Sequence, residues 1–188
     1  MLVTVCPQCE LDTTEIDRSE LGQRFRLLAA DWRTMLGRGD IVHVRPPFHD
    51  GTSGEAWSAL EYGAHVRDVF ELFHDRLVLM VKKNDPEFPA WDHEAAAADY
   101  ADEDPGSVAY KLATNAGKLA TFYDKAGDGT WDRNGHRRDG SSLTIEEAGF
   151  YAYHEGYHHL YDAQMGIKLL TADDDNEGDV EPEGPDHE

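Results

Sequence analysis

The sequence predicts an all-α fold: a four-helix bundle flanked by a short N-terminal arm and an acidic C-terminal tail. Four segments open on a helix-start signal and continue with apolar residues at intervals of three and four. No stretch alternates apolar and polar residues for long enough to support a sheet of any size. At 188 residues, with 40% hydrophobic residues that include 4 Trp, 8 Tyr and 7 Phe, the chain suits one domain with a substantial core.

The first helix is expected to start near Asp17, where Asp17 and Glu20 have capping-box spacing, and to run through Leu21, Phe25, Leu28, Trp32 and Met35 to Gly37 or Gly39. The second has Ser58 and Glu61 as its box and carries Tyr62, Val66, Val69, Phe73, Leu77 and Met80 as far as Asn84-Asp85-Pro86. Asp104-Pro105 starts the third, with proline at the favoured first position, and Gly127 closes it. Thr144 and Glu147 box the fourth, with Gly166 expected as its C-cap. The long connections, 37–54 and 127–142, allow crossovers as readily as hairpins. Residues 1–16 are thus an arm, 17–170 the bundle and 171–188 a tail expected to be disordered.

Charge is uneven along the chain. Lys and Arg number 17 against 38 Asp and Glu, for a net charge of -21, yet residues 173–188 alone hold nine acids and no Lys or Arg. Such a tail repels itself and has too little apolar surface to offset its ordering entropy. The remaining body, at -12, still disfavours nucleic-acid phosphates and anionic membrane surfaces as partners. No apolar run is long enough for a membrane helix, and the N-terminus lacks signal-peptide character, so the expected address is cytoplasmic.

The chain has 10 histidines, and their placement points to chemistry. His154 and His158 are one helical turn apart and project from one face, together with Tyr151, Tyr161 and Met165. His65 lies on the side of the second helix expected to face the core. Three buried imidazoles are costly to satisfy with protein groups, whereas one divalent ion satisfies all three and keeps a position open for substrate. His65, His154 and His158 are therefore the expected metal ligands. His159, about 100° further around the helix, and Asp162, one turn beyond His158, are candidates to support those ligands from behind.

Two further groups leave alternatives open. Cys6-Pro7-Gln8-Cys9 has the spacing of half a zinc site, which His43 and His49 could complete; it also fits a redox pair, or two exposed thiols without a role. The loop 131–140 gathers Arg133, Arg137 and Arg138, which could hold an anionic substrate or could pair with Asp132 and Asp139 as a solvated loop.

Residues 19–166, through Trp57-Ser58-Ala59-Leu60-Glu61-Tyr62-Gly63-Ala64-His65 and His154-Glu155-Gly156-Tyr157-His158-His159-Leu160, resemble the DinB-like superfamily of four-helix metalloproteins. That superfamily includes mycothiol-dependent maleylpyruvate isomerases and bacillithiol S-transferases. The resemblance implies one ligand from the second helix and two from the last, again His65, His154 and His158. It further implies a divalent metal, zinc first, with Ni, Mn or Fe as alternatives, and a low-molecular-weight thiol activated for transfer or isomerisation of a small-molecule substrate, in a homodimer. The competing expectation is a non-catalytic, stress-associated bundle whose histidines form a polar core network.

Overall fold

A computed structural model describes residues 4–48 and 52–174. The helices are α1 (Leu21–Leu36), α2 (Ala59–Lys82), the short α3 (His93–Ala97), α4 (Pro105–Lys125) and α5 (Ile145–Asp174). Between α4 and α5 lies an antiparallel ribbon of β1 (Asn134–His136) and β2 (Ser142–Thr144), in which Gly135 faces Leu143. The four long helices form the bundle. α1 and α2 each pack on both α4 and α5, so consecutive helices α1 and α2 lie diagonally and the connection between them crosses the bundle. None of the described helices is long and apolar enough to cross a membrane.

Three of the four start signals work as the sequence predicts, whereas the expected Asp17–Glu20 box does not form: Asp17 accepts from Ser19 N and Glu20 from Arg24. Ser58 Oγ accepts from Glu61 N at 3.3 Å while the Glu61 carboxylate accepts from Ser58 N at 2.9 Å, and Thr144 and Glu147 repeat this exchange at 3.1 and 2.8 Å. Asp104 accepts from Ser107 N at 2.7 Å ahead of Pro105. Asp17 caps a 3-10 turn, Arg18–Glu20, from which α1 continues. Trp32, Phe25, Phe70 and Leu60 are fully buried where the helices meet, with the Phe25 and Phe70 rings edge to face at 5.4 Å.

The last helix departs from expectation. It does not stop at Gly166 but runs on to Asp174, past the expected start of the tail at 171; residues 175–188 lie outside the described residues. Gly166 is there for closeness rather than termination, because a Cβ would sit 2.7 Å from Pro46 Cγ in the crossing connection. Gly156 is tighter still: its Cβ would meet Phe70 Cζ at 2.6 Å and Leu28 Cδ2 at 2.9 Å, and its carbonyl accepts from Trp32 Nε1 at 3.0 Å. This contact presses α5 onto α1 and α2 in the middle of its histidine segment. Gly156→Ala would gain about 1 kcal/mol of helix propensity. The overpacking outweighs that gain, for an expected net destabilisation of about 1–3 kcal/mol. A thermal melt at or above the parent Tm would contradict this.

Candidate functional site

α2, α5, the arm, the segment between α2 and α3 and the turn after β1 line an open cavity of about 990 Å³. The arm reaches it through a tight turn. Glu10 N donates to Cys6 O and Cys6 N to Leu11 O, both at 2.9 Å, and Glu10 takes the left-handed region at φ 59°. The segment after α2 is fastened to the ribbon by Phe88 N to His136 O at 2.7 Å and His136 N to Pro86 O at 2.9 Å.

The expected His65, His154 and His158 triad is divided in the structure. His65 comes together with Glu155 and His159, whereas His154 and His158 come together with Cys6 and Cys9, the donor atoms of each group lying within 4.8 Å of one another. The physical reason is helical rotation. Glu155 and His159 are spaced i, i+4 just as His154 and His158 are, and it is the second of these overlapping pairs that turns toward α2.

In the first group, Glu155 Oε2 lies 3.8 Å from His65 Nε2 and 3.6 Å from His159 Nε2. These separations exceed hydrogen-bond length and lie somewhat above the edge of about 3.4 Å between ligands bound tetrahedrally to one ion at about 2.1 Å. Asp162 Oδ2 stands 3.1 Å from His159 Nδ1, which orients the ring with Nε2 toward Glu155. Asp162 Oδ2 is also 3.4 Å from His158 Nε2, so it supports both histidines. His65 Nδ1 is buried without a hydrogen-bond partner among the described residues. The rings of Trp57, Trp91 and His93 surround His65 with centroids 5.0–5.9 Å away, and Tyr62 stacks on His159 at 5.1 Å.

The carboxylates and imidazoles of this group are strongly coupled. Burial disfavours charge on His159, but Asp162 and Glu155 outweigh it and hold the pKa up at about 9. Burial would raise the Glu155 carboxyl, yet His159 and His65 keep it well below the usual carboxylate range. Burial pushes His65 down. By geometry, the group sets one carboxylate against two ring nitrogens, a donor set suited to a divalent ion such as zinc.

Cys6 and Cys9 are buried, not exposed, and both are free thiols. They do not meet His43, which is exposed at the end of a 3-10 turn, because the arm folds over α5 rather than over the crossing connection; His49 lies outside the described residues. Cys6 Sγ lies 3.6 Å from His158 Nδ1. Burial raises both thiols, but for Cys6 the amides of Cys9 and Gln8 outweigh it and lower the pKa, while Cys9 is pushed up to about 11.

The arginines also separate. Arg133 donates to Met80 O and Lys83 O, both at 2.7 Å, so its guanidinium holds the C-terminal carbonyls of α2, and it does not line the cavity. Arg137 and Arg138 do line the cavity. They are joined by Arg76, which sequence reasoning missed although it follows His65 by three helical turns. Arg76 is 7% exposed, its guanidinium lies over the Phe73 and Phe88 rings at 5.1 Å each, and its Nε has no hydrogen-bond partner among the described residues. Burial, and then the charge of Arg137, push its pKa down to about 10. Glu87 and Asp139 line the cavity beside these arginines, and Arg138 Nε lies 3.7 Å from Glu87 Oε1, so the arginines of this region are partly paired with acids.

No curated protein matches the chain. Among solved structures it is similar to YfiT from Bacillus subtilis, described as a probable metal-dependent hydrolase with an unusual four-helix bundle topology. The TM-score is 0.69 at 16% identity, over 90% of this chain and 95% of that one. The sequence profile of the DinB superfamily matches residues 11–161, most of the arm-to-α5 span that builds the cavity. The chain belongs to the DinB superfamily.

Proposed function

We propose that the protein is a divalent-metal-dependent enzyme that activates a low-molecular-weight thiol for transfer or isomerisation of an anionic small molecule. The observation that carries this is the Glu155 carboxylate seated between His65 Nε2 and His159 Nε2, open to a cavity that arginines also line. His65, Glu155 and His159 would hold the ion, zinc by donor type, with Ni, Mn or Fe as alternatives. When bound there, the ion supplies Lewis acidity, favouring the deprotonated form of a thiol or water that reaches it.

The chain's own residues do the rest. Asp162 fixes the His159 ring, Trp57 and Trp91 flank His65 and limit water, and Arg76, Arg137 and Arg138 orient the anionic part of the substrate. About 990 Å³ lies at the upper end for small-molecule sites and leaves room for a thiol beside its electrophile. Hydrolysis is the second reading, favoured by the likeness to YfiT, and would use the same residues with water as the nucleophile.

Protein purified without a His-tag should turn over thiol-dependent substrates only when metal-loaded, lose activity to a chelator and regain it with zinc. His159→Ala should abolish this activity. Metal-independent turnover would refute the proposal, and activity without added thiol would favour hydrolysis. If His158→Ala removed the catalytic ion while His159→Ala kept it, the ligands would be His65, His154 and His158, as the family resemblance implies. The homodimer expected from family resemblance is tested by sedimentation of the same preparation.

A further inference from the structure

We infer that Cys6, Cys9, His154 and His158 form a second, closed metal site that pins the N-terminal arm to α5, distinct from the ligands of the proposed catalytic ion. All four donors lie within 4.8 Å of one another. The two cysteines are 5% and 6% exposed. Their spacing is that of a two-ligand turn, closed by Glu10 N to Cys6 O, by Cys6 N to Leu11 O and by a bridge between Val5 and Asp12. His154 and His158 offer their rings from successive turns of α5, with centroids 5.4 Å apart. The distance from Cys6 Sγ to His158 Nδ1, 3.6 Å, matches the edge of about 3.6 Å expected when a thiolate at about 2.3 Å and an imidazole at about 2.1 Å share a tetrahedral ion.

A thiol–imidazole hydrogen bond would account for Cys6 and His158 alone, leaving His154 Nε2, which is buried and has no hydrogen-bond partner among the described residues. One ion serves all four donors, and two thiolates cancel its charge in a buried setting. Two sulfur and two nitrogen ligands select zinc and leave no open position, the pattern of a structural site. Its consequence is local. Pro7 and Gln8, between the cysteines, line the cavity, so the ion would hold one wall of the proposed active site in place.

Metal analysis of the full chain, purified without a tag and loaded with zinc, should give two ions per chain. The Cys6→Ser, Cys9→Ser double variant should lose one and keep the ion held by His65, Glu155 and His159, while His159→Ala should keep the cysteine-bound one. On the unmutated protein, a thiol-directed mercurial should release one of the two zinc ions, and cobalt substitution should show a thiolate charge-transfer band. This second measurement does not depend on how well the variants fold. One ion per chain that survives both the cysteine replacements and the mercurial would overturn the inference. One ion lost with the cysteines but retained in His159→Ala would support it while refuting the proposed catalytic site.

Discussion

Replacing Glu155 with Gln is expected to weaken divalent-metal binding at His65 and His159 by at least about a hundredfold, about 2.7 kcal/mol, and to lower turnover accordingly. Among the described residues, the carboxylate is the single anion between the two ring nitrogens, at 3.8 and 3.6 Å, and an amide oxygen in its place carries no charge to offset the ion's. Glutamine keeps the length and planarity of the side chain, so α5 should remain packed through Gly156 and the fold should survive. Competition with a chromophoric chelator measures the effect site by site. Unchanged affinity at the site that His159→Ala abolishes would show that Glu155 is a spectator.

Arg76→Met should separate binding from stability. The guanidinium is buried between Phe73 and Phe88, has no carboxylate partner among the described residues, and has its pKa pushed down to about 10, so the native state carries an expensive cation. Methionine fills similar space and packs on the same rings. Thermal stability should therefore hold or rise, while KM for an anionic substrate rises roughly 10- to 100-fold, as expected when a charge-assisted contact of about 1.5–3 kcal/mol is lost. A lower Tm with unchanged KM would assign Arg76 to structure instead.

Much of the fold is legible in the sequence because helix starts are local. Ser58 with Glu61, Thr144 with Glu147, and Asp104 before Pro105 satisfy orphan amides within one turn of chain, and each does so in the structure. Helix ends were less legible. Gly166 has the identity of a C-cap but serves a contact with Pro46, 120 residues earlier in the chain, which no local signal encodes.

The site divides along the same line. Sequence alone determined that α5 carries two histidines one turn apart, that α2 carries His65, and that Cys6 and Cys9 have the spacing of a pair of candidate ligands. Only tertiary structure decided the partnerships. Two overlapping i, i+4 pairs on α5 differ by about 100° of rotation, and that rotation is set by Gly156 pressed against Phe70 and Leu28 rather than by the histidines themselves. The same packing carries Cys6 to His158 across 152 residues and turns Arg76 into the cavity. Periodicity reports which residues share a helix face; which neighbour that face meets is decided by how the helices press together.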